Sequence, residues 1–442
     1  MRTSSRLRWF AAVALIAVVA VAGCGSSKKS STSTKKGGGV NTSVSGKVSM
    51  IGIWTAAEQK SFQAVIDGFH KKYPKVTVKY TSAGDNTPTV LSTAVAGGNP
   101  PTLAAVGQPA FVKELQKKGA LKPMEFARSS LQANYSPDNV KLGEINGKLY
   151  SFVFKAASKS TVWYNVQAFK NAGVQPPSTW TDFLKDAKTL KASGTPAYSI
   201  DGSDGWPLTD LFENLYLRQA GPDMYDKLSN HTIKWTDPSV KTTLNTMKQV
   251  LGDTGNIYGG IKGAQQADFP TSVGYVFTNP PKAGMVIEGD FTPGVVEGKT
   301  NLKAGSGYNE FPFPKIGSSP GAIMGGGDSI VMFKDTPAAE AFVKYLTTPE
   351  AAVIRAKGGG FSSPNKNVPA SAYPDPIQRR IALALANAKT FRFDMSDLAP
   401  ASFGATTGQG EWKVMNDFLT NGNVDKTASA LEAAAAKAYK AG

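Results

Sequence analysis

Cysteine is almost missing. Cys24 is the single one in 442 residues, so no disulfide can close within the chain and no thiolate-rich zinc or iron–sulfur site is available. Histidine is nearly as scarce: His70 and His231 are the two, and neither stands in an HExxH or comparable ligand spacing, which removes the main signature of metal hydrolases. Neither a metal nor a cofactor is expected. Arginine is sparse for so basic a chain, with nine among 49 Lys and Arg and three of them before residue 10, while the formal net charge is +16. Nucleic-acid readers lean on arginine for phosphates and base edges, so dispersed lysine reads as solvated surface, and no nucleic-acid partner is expected. A GxSxG elbow is absent, and Gly294 to Thr300 (GVVEGKT) is one residue short of a phosphate loop with no apolar strand before it. That run reads as a turn. Internal repeats are lacking too, which disfavours an adhesive or structural role, and a monomer is the expected state.

Long hydrophobic runs are limited to one, Trp9 to Ala22, which follows three arginines. It is shorter than the roughly 20 residues a spanning helix needs and suits the core of a signal peptide over residues 1–23. Val21-Ala22-Gly23-Cys24 resembles a bacterial lipobox, which implies cleavage before Cys24 and lipidation of that residue. Residues 24–46 are then Ser, Thr, Lys and Gly with little that is apolar, a composition that cannot offset the entropy of ordering and behaves as a flexible tether. The expected location is extracytoplasmic, with the membrane contacted through the lipid alone.

Beyond the tether the chain has an ordinary globular composition, 41% hydrophobic and 19% charged overall. Val48 to Trp54 is a near-continuous apolar run, as in a buried parallel strand. Thr55 to Glu58 fits a capping box, and Phe62, Val65, Ile66, Phe69 and Tyr73 follow at helical spacing until Pro74. Val76, Val78 and Tyr80 alternate as a second strand. The β-α-β order makes the fold class α/β and sets Trp54 at the carboxyl end of a strand, where open parallel sheets bind ligands. Asp237-Pro238, Thr336-Pro337 and Thr348-Pro349 each start a helix, and Val424 to Tyr439 is strongly helical by propensity.

What chemistry remains is carried by carboxylates and rings. Sugars present apolar C–H faces and a rim of hydroxyls, so a pocket for them needs flat aromatic surfaces beside acid, amide and amine partners. Trp54, Tyr164, Trp206 and Phe291 are candidates for stacking; Asp85, Gln108, Glu288, Asp290 and Asp328 for hydroxyl contacts; Lys155 as a donor. None is expected to be catalytic. Trp163 and Trp180 read as core. Two carboxyl groups flanking a glycosidic bond could also make a surface glycosidase, with Glu288 and Asp290 as the pair, and an acid-rich pocket could instead take a cationic solute such as a polyamine.

Trp163-Tyr164-Asn165, Phe169 to Val174 and Pro176-Pro177-Ser178-Thr179-Trp180 resemble a stretch of the carbohydrate-type solute-binding proteins of ABC importers, the maltose-binding-protein-like family. Gly98 to Pro101, Gly147 to Tyr150, Ala283 to Phe291 and Phe311 to Pro314 agree in order. Gly205 to Asp210, Ala220 to Pro222, Tyr225 to Lys227 and Gly325 to Asp328 narrow the likeness to alpha-glucoside-binding lipoproteins. The cysteines that such members often carry near Thr195 to Tyr198 and Ala283 are absent here. The resemblance implies a two-lobed fold with a ligand cleft and about three hinge crossovers, near Lys155 to Ser158, Ile287 to Asp290 and Phe333. The first lobe would hold residues 47–156 and 288–333, the second 157–287 and 334–442. An oligosaccharide would bind between them and be delivered to the permease subunits, which read the closed form.

Overall fold

The computed structural model describes residues 43–318 and 321–441. The signal peptide, Cys24 and the tether as far as residue 42 lie outside the described residues. In chain order the strands are β1 (Gly46–Gly52), β2 (Val76–Ser82), β3 (Leu103–Val106), β4 (Glu144–Ile145), β5 (Lys148–Leu149), β6 (Ser151–Ser158), β7 (Thr161–Asn165), β8 (Met285–Ile287), β9 (Tyr308–Pro312), β10 (Ile323–Met332) and β11 (Phe391–Phe393).

The opening β-α-β unit forms as its pattern requires: β1 runs parallel to both β2 and β3, and the helix Ala56–Lys72 between them buries Phe62, Val65, Ile66 and Phe69. Together with β10 these strands make the first sheet, in the order β11-β10-β3-β1-β2, with β6 added alongside β10. The second sheet is β8-β7-β9, antiparallel throughout. Each sheet has its own core. The first gathers Val48, Met50, Trp54, Phe62, Phe69, Phe152 and Ile330; the second gathers Val162, Tyr164, Phe183, Leu215, Met247 and Phe311. The molecule is therefore two-lobed, and the apolar faces that bury these side chains hold each lobe together at about 1.5 to 3 kcal/mol per large residue.

The lobe boundaries differ from those the resemblance implies. Residues 334–357 are expected in the second lobe, yet the helix Pro337–Leu346 packs on β1 and places Phe342 4.9 Å from the Phe69 ring, and Pro349–Lys357 lies on the helix Ala56–Lys72. Residues 288–322 are expected in the first lobe, but β9 completes the second sheet against β7. Periodicity identifies such elements without saying which sheet they cover. The run Gly294 to Thr300 is also not a turn, since Thr292–Lys299 is helical with Pro293 near its start.

Among the described residues three segments pass between the lobes. One is Lys155 to Ser158, where β6 gives way to β7. A second is β10, whose Met324 lies in the second core while its Ile330 and Met332 lie in the first. The third follows Lys357 through Gly358-Gly359-Gly360 to Ser362, which bridges to Ala156. Gly327 explains how closely β6 and β10 lie, because a Cβ there would come within 2.7 Å of the Lys155 carbonyl oxygen. No helix among the described residues is long and apolar enough to cross a membrane.

Candidate functional site

The crossing strands bring the first set of charges together. In the β6–β10 ladder Lys155 stands opposite Asp328, at a register shift between Asp328 and Ser329 that turns the aspartate out of the regular pleat. Lys155 Nζ lies 2.5 Å from Glu58 Oε1 and 3.5 Å from Asp328 Oδ2. Asp328 also accepts a hydrogen bond of 2.6 Å from the indole nitrogen of Trp54. Burial works against the Lys155 charge, but Glu58 and Asp328 outweigh it and hold the ammonium above its ordinary range. Glu58 is not the partner of Thr55 that a capping box requires: the Thr55 side chain makes no cap bond, and Ala56 takes a φ of +44° as the chain turns into the helix. A left-handed conformation at a non-glycine residue is costly, and such strain gathers where function over-determines the backbone.

The second lobe answers with aromatic rings. Trp206 begins the helix Trp206–Gln219, and its ring centre lies 5.6 Å from Phe269 and 5.9 Å from Phe291, which are themselves 5.3 Å apart. All three are half-buried. Asp204 fixes the trio from behind by accepting a 2.8 Å bond from the Phe269 backbone. Two groups of the first lobe reach across: the Asp85 carboxyl is near enough to the Trp206 side chain to be lowered by it, and Lys155 Nζ lies 5.0 Å from the centre of Phe291. Crowding by protein, then the charge of Asp204, pushes the Asp85 carboxyl up to about 6, although the residue keeps much of its accessible surface.

Beside this platform Lys159 carries its ammonium 5.2 Å from the Trp206 ring and is held by Asp210 at 3.1 Å, by Asp394 and by Asp397 at 3.9 Å. Burial opposes that charge and the aspartates more than restore it, so Lys159 stays protonated. Asp394 lies well below the usual carboxylate range because Lys159 and hydrogen bonds from its neighbours overcome its burial, whereas burial and the Asp394 charge push Asp397 up.

The expected residues fall into four positions. Asp85, Lys155, Trp206, Phe291 and Asp328 meet in the crevice. Asp290 lies at its floor, 3% exposed, where it accepts from the Ser362 hydroxyl and burial raises its carboxyl to about 6. Gln108 is buried at the end of β3, next to Gly107, whose Cβ position is 3.4 Å from Asp328 Oδ1. Three others differ from expectation. Trp54 is no open platform: it is fully buried against Phe62, Tyr80 and Phe154, and only its N–H serves the site. Tyr164 belongs to the second core, its ring 4.3 Å from Phe169 and 5.8 Å from Phe311, because the alternation along β7 turns it toward that sheet's helices. Glu288 is 2% exposed with no N–H or O–H donor at either carboxyl oxygen among the described residues. It faces Asp201; burial raises both carboxyls, Asp201 to about 7 although its contact with Glu288 lowers it, and the Asp201 charge raises Glu288 further.

Glu58, Lys159, Phe269, Arg355, Asp394 and Asp397 complete the arrangement, and sequence reasoning misses them. A plausible local role hides Glu58, and Asp394 caps, while Asp397 lies within, the four-residue helix Met395–Leu398 far along the chain from Lys159. Among the described residues no cluster could hold a metal ion.

Two lobes joined by three crossings, with rings on one side of the junction and charges on both, are the architecture of the two-lobed binding proteins. Comparison with known proteins gives the same class. Residues 52–353 match the family model described as bacterial extracellular solute-binding protein. An alpha-glucosides-binding periplasmic protein of Rhizobium meliloti is 30% identical over 385 residues, 84% of this chain and 83% of that one. An osmoprotective compounds-binding protein of Synechocystis sp. is 29% identical over 400 residues, 89% of this chain and 93% of that one. Among solved structures, the acarbose-binding receptor GacH of Streptomyces glaucescens superposes with a TM-score of 0.74 at 18% identity, over 90% of this chain and 99% of that one. The receptor AcbH, described as exclusive for β-D-galactopyranose, gives 0.78 at 20%, over 89% and 99%. The chain belongs to the bacterial extracellular solute-binding protein family.

The Asp201–Glu288 pair makes stability depend on pH. A carboxyl held near 7 in the fold but at 3.8 when free contributes fully below about pH 4 and loses its contribution as pH rises through about 7. Asp201→Asn supplies an amide donor to Glu288 without a proton, so its melting temperature is expected to exceed that of the wild type at pH 8 and not at pH 4. Equal differences between variant and wild type at the two pH values would contradict the raised Asp201 carboxyl.

Proposed function

We propose that this protein captures a sugar in the interlobe crevice, an alpha-glucoside or a related oligosaccharide, and hands it to the membrane subunits of an ABC importer without chemical change. The observation that carries the reading is the Trp206–Phe269–Phe291 surface, which faces Asp85 and Lys155 from the other lobe and has Lys159 at its side. Rings of this kind receive the apolar faces of pyranoses, while carboxylates and ammonium groups replace the water lost from their hydroxyls. The alpha-glucoside-binding relative supports the ligand class, and relatives described as ABC transporter extracellular-binding proteins support the delivery step. Lobe closure follows from the ligand's touching both walls, and the closed form is what the permease recognises. The lipobox at Val21 to Cys24 supports anchoring through a lipid on Cys24.

A glycosidase is disfavoured by the partners of its two candidate acids. Glu288 turns to Asp201 and Asp290 to Ser362, so neither is left free to act as acid or nucleophile on one bond.

Calorimetric titration with maltose, trehalose, sucrose and glucose tests the ligand class, and heat of binding from at least one glucoside is expected. Trp206→Ala should weaken that binding by about 1 to 3 kcal/mol. Silence across the panel contradicts the sugar reading, and sustained release of nitrophenol from an aryl glucoside contradicts the absence of chemistry. For the anchor, Cys24→Ser should move the protein from the membrane to the soluble fraction of lysed cells; an unchanged distribution contradicts lipidation.

A further inference from the structure

The three crossings converge on a buried cation that the capture site does not use directly. Arg355, near the end of the helix Pro349–Lys357, is fully buried, with its guanidinium carbon 5.6 Å from the Trp54 ring centre and 5.2 Å from that of Phe361. Trp54 binds Asp328 on β10, and Phe361 lies on the third crossing, directly after Gly359 and Gly360. Among the described residues no acceptor lies within hydrogen-bond reach of Nε, Nη1 or Nη2. An arginine retained at such depth for stability normally spends its fork on a carboxylate or on carbonyl oxygens. Leaving buried cationic N–H groups unpaired is expensive.

The nearest acid is Glu58, and the oxygen concerned is already taken. Arg355 Nη2 lies 3.8 Å from Glu58 Oε1, the same atom that Lys155 Nζ meets at 2.5 Å. Lys155 also faces the crevice, 5.0 Å from the centre of Phe291. Glu58 keeps 24% of its side-chain surface, but its carboxylate sits between two nearly or fully buried cations, so a Lys155 that turns to a ligand oxygen leaves it without a close partner unless another cation takes its place.

We propose that Arg355 is that replacement: a positioning residue that takes over Glu58 when Lys155 turns to a bound solute, so that the site can spend its lysine on the ligand. The handover requires only that the 3.8 Å separation close by about 1 Å to hydrogen-bond distance. Because Arg355 is stacked between Trp54 and Phe361, its movement shifts the third crossing relative to the crevice wall and links occupancy to lobe closure. The role in capture rests on the solute-binding reading above; the exchange of partners on Glu58 does not.

A ligand-free cycle tests the exchange in the full-length chain. With K155M, or K155Q should K155M not fold, Arg355 is expected to take Glu58 through Nη2, shifting the Arg355 Nη signals in nitrogen-15 spectra from their wild-type positions. R355M alone should leave the melting temperature unchanged or raise it, while the K155M/R355M double variant should fall well below the sum of the single effects, because Glu58 then has no cation. Additive melting temperatures, or unshifted Nη signals, overturn the proposal. The capture role is read separately: for whichever of maltose, trehalose, sucrose or glucose binds the wild type, R355M should weaken affinity by about ten-fold or more, with R355K restoring part of it. Unchanged affinity with a lowered melting temperature makes Arg355 structural only. Absence of wild-type binding contradicts the sugar reading alone, and the ligand-free cycle then decides the exchange.

Discussion

Where β6 and β10 cross between the lobes, Lys155 must be neutralised, and it is neutralised by acids from two different segments, Glu58 and Asp328. Taking an ammonium group out of water is tolerable only with close counter-charges, and removing one partner from such a buried set costs on the order of 3 to 5 kcal/mol. That requirement reaches outward. It pulls Glu58 out of its capping role, accompanies a left-handed Ala56, and sets Asp328 where the Trp54 N–H can bind it. The crevice wall of the first lobe is thus organised by a charge on the hinge itself.

The opposite wall is organised differently. Its rings are held by packing and by the backbone of Phe269, and its charges centre on Lys159 with three aspartates. More acids are buried there than one lysine can balance. Burial raises carboxyls such as Asp397, Asp201 and Glu288, which opposes the accumulation of charge in the lobe's interior. The two walls meet where Asp85 approaches Trp206 and Lys155 covers Phe291. Groups suited to sugar hydroxyls and C–H faces therefore satisfy one another across the crevice.

Much of the fold could be read from the chain because local rules hold over most of it. The β-α-β opening, the helix starts at Asp237-Pro238 and Thr348-Pro349, and the last helix all follow from period, proline and cap chemistry. The lobe assignment of residues 288–322 and 334–357 was not legible, since an amphipathic helix does not specify which sheet it covers. In the site, Trp206, Asp85 and Asp328 stand out as polar or aromatic residues in loops and at a strand irregularity. Tyr164 and Trp54 do not differ in pattern from core residues, and burial alone separates them. Glu58 shows the converse: a satisfied local reading concealed a contact formed with a residue 97 positions away.

The most direct measurement is a crystal structure of the chain with a bound glucoside from the titrated panel. The sugar is predicted to lie between the Trp206–Phe269–Phe291 rings and the Asp85 and Lys155 groups, with Lys155 shifted from Glu58 toward a ligand oxygen. A sugar held elsewhere, for example in the hollow beside Asp417, Thr420 and Lys426, with the crevice contacts unchanged, would contradict capture between the lobes.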